Sequence, residues 1–162
     1  MITKILARMY ASKIATEQEI KGCSEDEIAL LERKCKVILP KSYREYLQVM
    51  GHESGRLFTS DHMAVQYEYV VNMTQDFSPY GQGAGMKLPD SSILIADRLG
   101  EYYNLIKCDS AEDSAVWSFS SIDWEIRKTY GSVYEWLDAW CTMAETAVNS
   151  GYFDLYPKGT TP

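Results

Sequence analysis

Residues 24–55 read SEDEIALLERKCKVILPKSYREYLQVMGHESG. This stretch predicts two helices hinged at a proline. Ser24 with Glu27 three residues later is a capping box, which satisfies free amides at a helix start. Ile28, Leu31 and Cys35 then recur at i, i+3 and i+7 on one face, with Leu30 beside them. Ile38-Leu39-Pro40 is expected to stop that helix, because a residue before proline is pushed out of the α region. Pro40 also suits the start of the next helix, where no amide hydrogen is missed. Tyr43, Tyr46, Leu47 and Met50 repeat at helical spacing, and Gly51 is expected to supply a left-handed stop.

Upstream, Met1 to Ala15 sets Ile5, Leu6, Met9 and Ile14 among Lys4, Arg8 and Lys13. A basic, acid-free amphipathic start suits an organelle transit peptide. It equally suits a first helix docked through its apolar stripe, and the lack of Ser/Arg richness favours docking. Downstream, Arg56 to Thr59 reads as a short strand. Residues 65–77 (VQYEYVVNMTQDF) fit both periods and are assigned to a short helix. Residues 78–86 (SPYGQGAGM) are a connecting loop. The glycines there have the wrong spacing for a phosphate-binding P-loop, and no Lys-Ser/Thr follows.

The second half opens at Leu88-Pro89. Residues 92–97 (SILIAD), 102–107 (YYNLIK) and 114–119 (SAVWSF) are β-rich runs separated by short turns. Links this short predict an antiparallel meander, with one face of each strand covered and one open. Residues 121–130 form a mixed linker in which Trp124 and Ile126 either flank a strand or sit in a turn. Ser132 and Glu135 make a second capping box. They precede a stripe of Val133, Trp136, Leu137, Trp140, Ala144 and Val148, closed by Gly151. Two tryptophans on one helix face point to core. From Tyr152 onward the tail is expected to be loosely held. The fold class is therefore α+β: an antiparallel sheet with N-terminal helices and a C-terminal helix packed around it. The length of 162 residues favours a single domain over 1–162.

Composition narrows the function. Apolar residues at 46% support a core, and the net charge is −7. Residues 1–60 carry ten Lys+Arg against eight Asp+Glu, whereas residues 61–162 carry six against fifteen, so the acidic excess lies in the C-terminal part. An acidic surface argues against nucleic acid as a direct partner. No run is long enough to span a membrane. The four cysteines, Cys23, Cys35, Cys108 and Cys141, form no C-x-x-C pair, and His52 and His62 are the two histidines. That spacing gives no metal site, and reduced thiols in a cytosol are the simpler account. No nucleophile elbow or H-E-x-x-H motif occurs, so no catalytic residue, no cofactor and no enzyme activity are expected. An unfamiliar site on Cys23 or Cys108 is the enzyme alternative. Tyrosine is abundant, at 12 residues, often beside acids as in Tyr67-Glu68-Tyr69 and Glu101-Tyr102-Tyr103. Aromatic anchors inside an acidic rim suit protein interfaces, although most such rings simply pack.

The series runs from a capped helix through Leu39-Pro40, Tyr43 and Leu47 to a glycine turn. After an interval come Leu88-Pro89, Ile95-Ala96-Asp97, Gly100-Glu101-Tyr102-Tyr103, Val116-Trp117 and the helix Ser132 to Trp140. This order resembles the SUKH superfamily, which includes fungal cell-wall assembly regulators and many bacterial immunity proteins. The resemblance spans about Thr16 to Ala147. It departs at Met50-Gly51-His52-Glu53-Ser54-Gly55, where the family often has Asn-Gly-Gly. It implies an α+β fold, no catalytic residues, and in bacteria the neutralisation of a toxin made by the same cell, often a nuclease or deaminase.

Together these features lead us to expect a cytoplasmic protein that binds a cognate toxin domain. The alternative is an intracellular scaffold or regulatory module. Charge density nominates Asp97, Glu101, Asp109, Glu112, Asp113 and Asp123 as partner-binding, with Tyr102 and Trp124 as anchors, on the assumption that all share one face. Oligomeric state is left open.

Overall fold

In the computed structural model, which describes residues 1–58 and 62–155, Ser24 caps α2 (Glu25–Cys35). The box is reciprocal: Ser24 Oγ accepts from the Glu27 amide at 3.3 Å, and Glu27 Oε2 accepts from the Ser24 amide at 2.8 Å. The helix ends at Lys36, earlier than the expected stop at 38–40. Lys36 takes a left-handed φ of 55°, and its amide and that of Val37 both reach the Glu32 carbonyl. The next helix, α3 (Lys41–Met50), has Pro40 as N-cap, with no side chain to offer its free amides. A distant turn supplies them instead: the amides of Lys41 and Ser42 donate to the carbonyls of Ala111 and Glu112, each at 3.0 Å. Tyr43, Tyr46, Leu47 and Met50 are buried, as their spacing requires.

Gly51 does not make the expected left-handed stop, since its φ is −67°. Glycine is needed there for room. A Cβ would stand 2.5 Å from Cys23 Sγ and 2.7 Å from the Leu47 carbonyl oxygen. Beyond it, β2 (Glu53–Ser54) pairs antiparallel with β1 (Ile20–Lys21). Residues 55–58 form a turn with Leu57 and Phe58 buried, in place of the strand expected at 56–59; Thr59 lies outside the described residues.

The meander is present, and it gains a strand on each side. Its order is β3 (Met63–Ala64), β4 (Ser92–Arg98), β5 (Tyr102–Lys107), β6 (Val116–Ser120) and β7 (Arg127–Tyr130), antiparallel throughout. A bulge between Leu94 and Ala96 shifts the register of β4. The linker 121–130 thus resolves into a turn holding Trp124, followed by β7.

Both faces of the central strands are covered, contrary to the expected open face. On one side Ile93, Ile95, Ile106 and Val116 join the helical core. On the other, Leu94, Tyr103, Leu105 and Phe119 form a second cluster. Phe77, Met86 and Leu88 fold back over it from the segment after α4 (Tyr67–Asp76), and Trp124 joins them. Period-2 alternation in a strand cannot reveal that a remote loop will roof the second face.

The last helix, α5 (Val133–Asn149), buries Trp136, Leu137 and Trp140 with Val133, Cys141 and Ala144. Trp136 is fully buried, and its Nε1 donates to Asn104 Oδ1 at 3.3 Å. Asn104 in turn donates to Ser118 Oγ at 2.7 Å. A buried polar chain of this kind is stable only when each member is paired. The expected second capping box is half made. Ser132 Oγ accepts from the Glu135 amide at 3.0 Å, but the Glu135 carboxylate reaches past Ser132 to the Gly131 amide. The first helix, α1 (Ile2–Ala11), docks as expected, burying Ile2, Ile5 and Met9. The tail is held further than expected: α6 (Tyr152–Leu155) buries Phe153, with the Arg56 guanidinium 4.8 Å from its ring centroid.

Candidate functional site

The helix α4 lies along β4 beside the short edge strand β3. Between them runs a groove of about 420 Å³. Its acidic rim is Glu68, Asp76 and Asp97, and its aromatic lining is Tyr69, Phe77 and Tyr103. None of its described lining residues is Lys or Arg. Helical spacing explains the rim: Glu68, Tyr69, Asn72 and Asp76 project from one side of α4, while Val70 and Val71 turn into the core. Lys34 donates to Asn72 Oδ1 from α2, so one cation is tied down nearby.

Two exposed apolar tips flank the end of the sheet that carries Asp97. Leu99 stands at the β4–β5 turn, 69% exposed, and Ile122 at the β6–β7 turn, 84% exposed. A bond from the Ser121 amide to the Glu101 carbonyl at 2.8 Å holds the two turns together. Apolar side chains with acids around them are what an interface core and rim require.

The nominated residues divide between two ends of the sheet. Asp97, Glu101, Tyr102, Asp123 and Trp124 lie at the start of β5; Asp109, Glu112 and Asp113 follow its end, about 17 Å away at 3.4 Å per residue. One shared face is therefore corrected to two sites, because a strand separates the turns at its ends.

At the first end, Asp97 lines the groove and accepts the Gly100 amide at 2.8 Å. Burial raises its carboxyl above the usual range, with the Gly100 bond opposing. Glu101 is exposed, and Tyr102 is half-buried. Asp123 is occupied within its turn: Arg127 Nη1 donates to it at 2.6 Å and the Glu125 amide at 3.1 Å, which lower its pKa in that order. Trp124 is spent on the second cluster. Its φ is 55°, uncommon for so large a side chain. Its ring stacks on Tyr103 with centroids 6.5 Å apart, and Gly83 packs against the indole where a Cβ would collide.

At the second end, Asp113 is a structural staple. It accepts from Ser42 Oγ at 2.6 Å, the Ser114 amide at 2.8 Å and the Val133 amide at 3.2 Å. Its charge thus sits at the N-termini of α3 and α5, where helix dipoles favour an anion. Glu112 faces Lys41 at 3.6 Å, a well-exposed pair, and Asp109 is exposed.

Sequence reasoning missed Glu68, Tyr69, Asp76, Phe77 and Tyr103 as site residues. The run Tyr67-Glu68-Tyr69 carried the signal. Its neighbours Asp97 and Tyr103 come to it only through the sheet.

Burial works against thiolate formation at the two cysteines singled out for chemistry. Burial pushes Cys23 up to about 12, with Glu27 and Glu68 adding to it. Burial pushes Cys108 up to about 12, with Cys35 adding to it. A reactive thiol needs the opposite shift. Among the described residues no helix is long and apolar enough to cross a membrane.

A family model described as SMI1 / KNR4 family (SUKH-1) matches residues 22–139, from just before the Ser24 cap into α5. A search of curated proteins gives no match.

Proposed function

The chain belongs to the SMI1 / KNR4 family (SUKH-1), and from that membership we propose that it is an immunity protein. In this reading it sits in the bacterial cytoplasm and neutralises a cognate toxin domain, such as a nuclease or deaminase, by direct binding without turning over a substrate. The observation that carries the reading is the groove between α4 and β4, with Glu68, Asp76 and Asp97 on its rim and Tyr69 within it. A nuclease must present a cationic cleft to phosphates. An acidic groove draws such a cleft in, raising association rates about 10²-fold or more at low salt. Neutralisation also needs slow release, which the aromatic lining and the Leu99 and Ile122 tips supply by excluding water. Nanomolar affinity requires about 12 kcal/mol.

Co-expression with a toxin domain encoded beside its gene tests this. Survival of cells carrying both, with a one-to-one complex on purification, is expected. Failure to suppress any such toxin would sink the reading. The family also contains cell-wall assembly regulators, so an intracellular scaffold is the second reading. Specific complexes with several unrelated host proteins, and none with a toxin, would favour it.

A further inference from the structure

We infer that Cys23, Glu27 and His52 form a zinc-type divalent metal site, with Glu68 as the outer carboxylate that orients the histidine. One ligand atom from each of the three lies within 4.8 Å of the others. Nothing in their spacing announces this; the fold assembles it. The Cys23 amide donates to the Leu47 carbonyl at 2.8 Å and the His52 amide to the Lys21 carbonyl at 2.9 Å, which bring the start of α2 against the end of α3. The Tyr67 amide bonds the Gly51 carbonyl at 2.8 Å, and its hydroxyl donates to the Glu27 carbonyl at 2.9 Å, which fixes α4 beside them.

The side chains already point the right way. Glu27 spends Oε2 on the Ser24 amide and turns Oε1 to His52 Nε2 at 3.0 Å. The other ring nitrogen, Nδ1, is engaged by Glu68 Oε1. Metal-binding histidines almost always donate their second N–H to a carboxylate, a backbone carbonyl or water, which sets the tautomer and raises basicity, and Glu68 is a partner of that kind. Glycine at 51 leaves Cys23 Sγ its place, since any Cβ there would crowd the sulfur.

A sulfur, a carboxylate oxygen and an imidazole nitrogen are zinc donors, and three protein ligands plus one water complete a tetrahedron. Bond lengths of 2.0–2.3 Å put such donors about 3.3–3.8 Å apart, so closure takes side-chain movements of about an ångström. Charge balances: thiolate and Glu27 carboxylate offset the 2+ ion. Binding releases the thiol proton and any proton on Nε2 to water, the ion's own field lowering the thiol pKa.

Cobalt titration of the reduced full-length chain tests the site. One equivalent is expected to bind with a thiolate-to-cobalt band in the near ultraviolet, which zinc then bleaches. Cys23→Ser is expected to abolish the band. His52→Gln is expected to weaken binding at least tenfold, and Glu68→Gln about 10–100-fold. Cys35→Ser and Cys108→Ser are expected to leave the band unchanged. Absence of the band in the unaltered protein, or its survival in Cys23→Ser, would overturn the site. Circular dichroism checks that each variant is folded. If Cys23→Ser does not fold, the unaltered protein and His52→Gln decide: equal cobalt affinity in the two rejects the site.

Discussion

Arg8 and Glu145, 137 residues apart, meet in a two-pronged ion pair, Nε to Oε1 at 2.9 Å and Nη2 to Oε2 at 2.6 Å. The same guanidinium reaches Asp138 at 2.6 Å, so one side chain clips α1 onto α5. Fork-on-carboxylate geometry makes this pair stronger than a typical surface bridge, while partial exposure screens it. Arg8→Ala is expected to lower stability by about 1–2 kcal/mol, read as a shift of the urea midpoint with an unchanged slope.

The same pair has a pH signature. The Arg8 bond, followed by the Ser12 hydroxyl, lowers the Glu145 carboxyl from 4.5 to about 2. The folded value lies below the unfolded one, so this contribution is complete above pH 4.5. It is lost as pH falls toward 2. Acid titrations of stability should show Glu145→Gln losing less between those limits than the unaltered protein. Equal losses would count against the pair as a source of acid sensitivity.

Trp136 anchors the helical core and satisfies Asn104. Trp136→Phe keeps an aromatic ring but leaves the Asn104 carbonyl oxygen without its donor. Stranding a buried acceptor costs about 1–3 kcal/mol. Chemical denaturation should report a loss in that range, and Trp136→Ala should cost about 3–5 kcal/mol.

Asp113 and Asp109 provide a contrast within one turn. Asp113→Ala removes the acceptor of three bonds that tie α3, the turn and α5, and is expected to cost about 1–3 kcal/mol. Asp109→Ala, on an exposed residue, should stay within about 0.5 kcal/mol. Similar thermal shifts for the two would contradict the staple.

For binding, Asp76 and Tyr69 separate steering from holding. Both are exposed, so neither substitution threatens the fold. Asp76→Lys should slow association with a cationic partner and flatten its salt dependence. Tyr69→Ala should act on release, speeding dissociation about 5–30-fold, as loss of a contact worth about 1–2 kcal/mol implies. Interferometry at two salt concentrations reads both.

Much of the architecture was legible because its signals are local. The Ser24–Glu27 box, the Tyr43–Met50 stripe, the short strand-to-strand links and the Trp136–Trp140 face each lie within one or two turns of chain. Helix geometry converts such patterns directly into structure. The errors came where a distant segment intervened. Gly51 is dictated by the sulfur of Cys23. The second sheet face is closed by Phe77, Met86 and Trp124. The Ser132 cap is the local exception: the Glu135 carboxylate reaches one residue further back, to the Gly131 amide.

The candidate site depended still more on tertiary structure. Acidic charge and abundant tyrosine were plain from composition, and Tyr67-Glu68-Tyr69 marked part of the groove. Charge density along a chain carries no direction, however, so it grouped Asp97 with Asp113 although β5 holds them at opposite ends. The amino-acid order by itself determined the helices, the meander and the family likeness, because capping, periodicity and turn length act between near neighbours. Only the packed chain decided that Glu68, Asp76 and Asp97 rim one groove and that Cys23, Glu27 and His52 converge, because both depend on side chains drawn together from separate elements by hydrogen bonds and burial.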